Sequence, residues 1–186
     1  MNLRLKNIHK RYLENTVLNG YSYDFEKGLY LLVGSNGIGK STLLKIISGV
    51  IKPSNINYMI DKDKVAYLCE KIELANINVL CFLKMICKIN NTTFDIEDEV
   101  KRWKIPNKNI NNLSKGNKQK TALLMMRFTE ADVYLFDEPT DALDQEGITL
   151  FQEMIAKLVD EGKTIIISSH EKNYFKDFSY KELGLS

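Results

Sequence analysis

One stretch constrains this chain more than any other: Gly34-Ser35-Asn36-Gly37-Ile38-Gly39-Lys40-Ser41-Thr42. The apolar run Leu29-Tyr30-Leu31-Leu32-Val33 leads into it, and Leu43-Leu44-Lys45-Ile46-Ile47 leads out. An unbroken apolar run reads as a strand buried on both faces, and the segment after the loop reads as a helix. Strand, glycine-rich turn and helix in that order are the context in which the G-x-x-x-x-G-K-[ST] match of Gly34–Ser41 reads as a phosphate site. Glycines let the backbone wrap closely around an anion, N–H groups point inward, and the helix adds its positive N-terminal end. Gly34, Ser35, Asn36, Gly37 and Gly39 are the expected wrapping positions. Lys40 is expected to reach the β- and γ-phosphates, the Ser41 hydroxyl to ligate Mg²⁺, and Thr42 to donate to the α-phosphate. A mere flexible turn is a poor account, because five constrained positions and both flanks agree.

Further along, Val133-Tyr134-Leu135-Phe136 is a buried-strand run ending in Asp137-Glu138. A carboxylate at the C-terminal end of a buried parallel strand stands where such sheets bind ligands. Asp137 can hold Mg²⁺, and Glu138 can face the γ-phosphate and polarise the attacking water. Alone, the pair would read as a solvated strand end; after a phosphate loop it reads as chemistry. Leu113-Ser114-Lys115-Gly116-Asn117-Lys118-Gln119-Lys120 opens another helix. Ser114 is a good N-cap, and a helix N-terminus with a serine and a glycine is also an anion site.

The intervening pattern places these motifs. Leu3, Leu5 and Ile8 read as an edge strand, and Val17–Phe25 as a second strand turning at Glu26-Lys27-Gly28. A helix over Ser41–Val50 is broken by Lys52-Pro53-Ser54. Short strands are expected over Ile56–Ile60 and Val65–Leu68, joined by the turn Asp61-Lys62-Asp63. From about Lys71 the character changes. Val79, Leu80, Phe82, Leu83, Ile86 and Ile89 recur at helical spacing with Asn76 or Asn78 as cap, and Ile96–Trp103 reads as another helix. The segment 71–113 is thus expected to be a helical insertion. A helix (Lys115–Thr129), a strand (Val133–Phe136), a helix (Glu146–Glu161) and a strand (Thr164–Ser168) follow. Strands alternating with helices predict a parallel α/β sheet.

Composition matters mainly for what it excludes. At 186 residues the chain can hold one domain with a substantial core and a modest insertion. A net charge of +2 with no basic block gives no sign of direct nucleic-acid binding. Cys69, Cys81 and Cys87 are odd in number and lack a C-x-x-C pair, which suits neither a disulfide framework nor zinc and fits a reduced, cytoplasmic compartment. The start, Met1-Asn2-Leu3-Arg4-Leu5, lacks the apolar core of a signal peptide. No apolar run approaches the roughly 20 residues of a membrane helix, so a membrane role is expected to act through a partner.

Gly34–Thr42, Leu113–Lys120, Tyr134–Pro139, Ala142-Leu143-Asp144 and Ser168-Ser169-His170, in this order, resemble the nucleotide-binding subunit of ATP-binding-cassette (ABC) transporters. The resemblance covers almost the whole chain and is closest to compact bacterial exporter subunits. It implies a P-loop NTPase (RecA-like) α/β core with an N-terminal antiparallel β subdomain and an inserted α-helical subdomain. The 1–186 single domain then divides into 1–70 and 114–186 as core, with 71–113 as insertion. It implies that Glu138 is the catalytic glutamate, that His170 contacts the γ-phosphate, and that Tyr12 stacks on adenine. Ser114 and Gly116 would contact a partner's γ-phosphate, and Asp144 falls in the D-loop. The implied assembly is a head-to-tail homodimer, or a paired cassette, with two ATP at the interface. A separate transmembrane permease would hold the subunit on the inner face of the cell membrane and turn hydrolysis into export of a peptide or other small cargo. A soluble ABC-type ATPase acting on nucleic acid or ribosomes and a low-turnover regulatory subunit are the rival readings.

The chain departs from the family's pattern in places. Lys115 and Asn117 stand where the signature LSGGQ has glycine and glutamine. Cys69-Glu70 stands where a Q-loop has Pro-Gln, so Glu70 is the candidate to reach Mg²⁺ or its water.

Overall fold

The computed structural model describes residues 3–62 and 64–185; the expected turn residue Asp63 lies outside them. The chain opens with β1 (Leu3–Tyr12) and β2 (Asn15–Phe25), an antiparallel pair, then β3 (Gly28–Val33), α1 (Lys40–Ser48), β4 (Met59–Asp61) and β5 (Val65–Leu68). Next come α2 (Val79–Asn90), α3 (Ile96–Arg102), α4 (Lys115–Phe128), β6 (Val133–Asp137), α5 (Gln145–Asp160), β7 (Thr164–Ser168) and β8 (Tyr180–Gly184). Short 3-10 turns stand at Ile110–Asn112 and Lys172–Phe175.

The parallel sheet runs in the order β5-β6-β7-β3-β8, and its strand parity sorts the core. Leu29, Leu31, Tyr134, Phe136, Ile165 and Ile167 point to one face and pack with helices α2 to α5. Tyr30, Leu32, Val133, Leu135 and Ile166 point to the other, against Leu43, Leu44, Ile46 and Ile47 of α1 and the inner face of the antiparallel sheet. Burial on both sides explains the unbroken apolar runs. Each such aliphatic side chain contributes about 1.5–3 kcal/mol over leaving it in water. Leu31 pairs with Ile167, Asp137 with Ser168 and Leu68 with Phe136. The carboxyl ends of β3, β5, β6 and β7 therefore lie side by side, which gathers the expected chemical residues at one end of the sheet.

Segment 71–113 holds α2 and α3, and its buried groups join the same apolar cluster as one face of the sheet. Asn78 is the cap of α2, its side chain accepting from the N–H groups of Leu80 and Cys81. Val79, Phe82 and Leu83 are buried and Leu80 is half-buried, while Met85 and Ile89 are exposed.

Three expectations are corrected. β1 is no edge: it is the centre of an antiparallel sheet ordered β2-β1-β4. A sheet buried on one face gives the same alternation to central and edge strands, so periodicity cannot separate them. The strand expected over Ile56–Ile60 forms only at Met59–Asp61 and joins β1, so β4 and β5 belong to different sheets. Before it, side chains replace ladder bonds: Asn55 Oδ1 accepts from His9 N–H at 3.1 Å, and Ile56 is left exposed. Finally, β8 has little periodic signal, since only Leu183 of its residues is buried; it pairs by backbone along β3. Among the described residues no helix is long and apolar enough to cross a membrane.

Candidate functional site

The loop after β3 turns on glycines in the left-handed region, including Gly37 at φ 81° and Gly39 at φ 116°. Gly39 is doubly required, because a Cβ there would also stand 2.6 Å from Val17 Cγ1 of β2. It is the N-cap of α1 and offers no side-chain acceptor, so the first N–H groups of the helix face outward without a capping side chain. Lys40, mostly buried, folds back to donate to Gly34 O at 2.7 Å and Ser35 O at 3.2 Å. An uncapped helix N-terminus, wrapped by glycines and carrying a lysine whose hydrogen bonds among the described residues go to neutral carbonyls, fits a phosphate chain.

Beside it, the Asp137 carboxylate is almost wholly buried and receives hydroxyl donors. Ser41 donates to its Oδ1 at 3.0 Å, Ser168 to the same oxygen at 2.6 Å, and Tyr67 to Oδ2 at 3.3 Å. Carboxylate and hydroxyl oxygens are the donors a hard divalent cation takes, so Asp137 with Ser41 fits Mg²⁺. Tyr67 is held in its phenol form, its pKa pushed up by burial and by the neighbouring Asp137 charge.

Glu138 follows at φ 48°, a left-handed conformation that costs a non-glycine residue about 1–3 kcal/mol. Its N–H donates to Ser168 O at 3.1 Å, which holds the bend. The bend turns the carboxylate away from Asp137 and toward β7. There Oε1 lies 3.0 Å from His170 Nε2, and Oε2 accepts from His170 N–H at 3.3 Å. Burial pushes the Glu138 carboxyl above the usual glutamate range, against the opposing pull of His170. A carboxylate held at a strand end, mostly desolvated and with a raised pKa, suits a proton acceptor.

The phosphate loop, Glu138 and His170 line one cleft of about 650 Å³, within the roughly 300–1,000 Å³ of small-molecule sites, with Asp137 buried behind Ser41. Of the candidate residues, Asn36, Gly37, Gly39, Lys40, Ser41, Thr42, Glu138 and His170 all face it. Tyr12 stands at its rim, half exposed, with the Lys10 ammonium 5.1 Å from the ring centroid. Glu70 also faces it but is exposed, and among the described residues it forms no hydrogen bond with Ser41 or Asp137. Glu70 and Asp141 also border a second cleft of about 360 Å³ whose other wall carries Lys115 and Lys118. Asp141, Tyr67 and Ser168 were missed by sequence reasoning. Position after a strand signals Asp141, and strand parity could have flagged Tyr67 once the neighbouring strand was known.

Ser114, Gly116 and Asp144 lie outside that cleft. Ser114 caps α4, accepting from Asn117 N–H at 3.3 Å. Asp144 caps α5, accepting from Gly147 N–H at 2.8 Å, and pairs with the buried Lys120 ammonium at 2.9 Å. Those two partners hold the Asp144 carboxyl below its usual range. Gln119 donates to Pro139 O at 2.7 Å, and a Cβ on Gly116 would stand 2.7 Å from Ala142 O. The first turns of α4 are thus clasped onto residues 139–144, directly after Glu138.

A family model described as ABC transporter matches residues 18–141. The uncharacterised ABC transporter ATP-binding protein YybJ of Bacillus subtilis is 32% identical over 191 residues, covering 91% of this chain and 86% of that protein. The lantibiotic transport ATP-binding protein SrtF of Streptococcus pyogenes is 28% identical, covering 95% and 84%. The high-affinity zinc uptake ATP-binding protein ZnuC of Bacillus subtilis is also 28% identical, covering 100% and 91%. A solved structure from Pyrococcus furiosus, titled as an ABC transporter ATP-binding protein, superposes with a TM-score of 0.81 at 25% identity, covering 100% of this chain and 98% of that one.

Proposed function

The chain belongs to the ABC transporter family and carries its ATPase domain, and from that premise we propose that it hydrolyses ATP in the 650 Å³ cleft to drive a separate membrane permease. One observation carries the reading: the phosphate loop, with Ser41 hydrogen-bonded to the buried Asp137, and the Glu138–His170 pair meet at that cleft. The loop N–H groups and Lys40 bind the phosphates, and Tyr12 stacks on the base. Asp137 and Ser41 hold Mg²⁺, which when bound neutralises phosphate charge and orients the terminal phosphoryl group. Glu138 accepts a proton from the attacking water, and His170 keeps its carboxylate aimed. Ser114 and Gly116 face the terminal phosphate of a second copy, paired head to tail.

Export of a peptide-class cargo is the first reading of direction, supported by the likeness to a lantibiotic transport protein. Uptake is the second, supported by the equal identity to a zinc uptake protein. The test of the ATPase reading is phosphate release by purified protein with Mg²⁺ and ATP. Wild type turns over, Glu138→Gln is slower by about 100-fold or more, and chelating the metal stops both. Turnover of Glu138→Gln at the wild-type rate would remove Glu138 from the reaction.

A further inference from the structure

We propose that Tyr67 is a positioning residue for the Asp137 carboxylate, and through it for the metal ion of the nucleotide; this rests on the reading in which Asp137 and Ser41 hold that ion. Sheet register carries the argument. Tyr67 of β5 stands opposite Leu135 of β6, and Asp137 lies two residues further along the same face. Ser168 of β7 stands directly opposite Asp137 on the other side. That face also receives α1, which brings Ser41. The carboxylate is therefore held by the strand on its left, the strand on its right and the helix above it.

The division of labour is unequal. Ser41 and Ser168 both donate to Oδ1, at 3.0 and 2.6 Å, whereas Oδ2 receives Tyr67 at 3.3 Å. Among the described residues no lysine, arginine or histidine pairs with Asp137, so hydroxyl groups supply its buried hydrogen bonds. A buried carboxylate without such donors is costly; the 2.6 Å bond from Ser168 is of the strong charge-assisted kind, and the longer 3.3 Å bond from Tyr67 is the donor on Oδ2. Removing the phenol oxygen leaves Oδ2 without that donor and lets the carboxylate turn about its last bond. Outer partners of this kind fix a ligand's direction, and their loss weakens metal binding by about 10–100-fold. The Tyr67 ring packs against the apolar cluster beneath α1, so phenylalanine keeps the packing and loses only the oxygen.

The test is Mn²⁺ titration by electron paramagnetic resonance with a non-hydrolysable ATP analogue, alongside analogue binding in chelator. Tyr67→Phe should weaken Mn²⁺ binding about tenfold and raise the Mg²⁺ needed for half-maximal turnover to match, with metal-free analogue affinity unchanged and the melting temperature lowered by a few degrees at most. Ser168→Ala should behave similarly and Ser168→Thr should restore wild-type binding. Asp137→Asn separates the two levels of the account. If Asp137→Asn loses the ion and Tyr67→Phe binds it like wild type, the positioning role is overturned. Should Tyr67→Phe lose metal-free analogue binding as well, its role is structural and the proposal fails. If Asp137→Asn binds Mn²⁺ like wild type, the metal assignment itself falls and takes this inference with it.

Discussion

The N-termini of α1 and α4 both follow a loop, both carry a lysine and a glycine, and both are expected anion sites, yet the chain builds them oppositely. At α1 the N-cap is glycine with φ 116° and no side-chain acceptor, and the helix opens onto a cleft. At α4 the N-cap is Ser114, whose hydroxyl already accepts from Asn117 N–H, and the first turns are pinned to residues 139–144. The glycines differ as well. Gly39 permits a left-handed turn, while Gly116 has no positive φ and instead lets the helix approach the backbone at Ala142 O. The lesson is that a motif's glycine can serve intrachain packing as much as a ligand. In α4 the clasp ties the proposed second nucleotide contact to the segment that leaves Glu138.

The contrast can be broken most strongly at α1. Lys40→Ala should weaken ATP affinity by about 10–100-fold with little change in melting temperature, since among the described residues the side chain donates to loop carbonyls; calorimetry and thermal melts check both. At α4 the order reverses. Gly116→Ala should destabilise the fold by about 1–3 kcal/mol through overpacking against Ala142, seen as a lower denaturation midpoint with and without ATP. If Gly116→Ala melts like wild type and loses only its response to nucleotide, α4 is a site of the same kind as α1. Loss of a cap is milder: Ser114→Ala should cost about 1 kcal/mol in chemical denaturation and leave single-chain ATP affinity intact.

The smallest effect concerns Glu138, which joins the two regions. Its pKa is raised by burial, so the acid limb of turnover should begin at a higher pH than an ordinary glutamate would give. The sign for stability follows. Above the raised pKa the folded state bears a desolvated charge; below the ordinary carboxylate range both states are protonated and that penalty is gone. Glu138→Gln should therefore melt slightly above wild type near neutral pH, and the gap should close in acid. A gap that widens in acid would contradict the burial argument.

The strand, loop and helix around Gly34–Thr42 were legible because local rules act within one continuous segment: an apolar run, glycines and a helix period. Asp137 and Glu138 were legible for the same reason, as acids at the end of an apolar run. Tyr67 and Ser168 were not, because their role depends on which strands lie beside β6, and parallel register is set by contacts far apart in sequence. The central place of β1 was hidden likewise, since its second neighbour β4 arrives after α1. The Gly116–Ala142 contact shows the same limit. It is a tertiary approach of a helix to a loop, and nothing in the local pattern distinguishes it from an anion-binding glycine.

The central claim is that Glu138 hydrolyses ATP held between two copies of this chain. Light scattering of Glu138→Gln with and without ATP and Mg²⁺, alone and with the permease, tests it most directly. The account predicts a slow, ATP-dependent dimer that Lys115→Glu, at the exposed start of α4, weakens without changing single-chain ATP affinity. A hydrolysis-dead Glu138→Gln that stays monomeric with ATP, even in the presence of the permease, would contradict it.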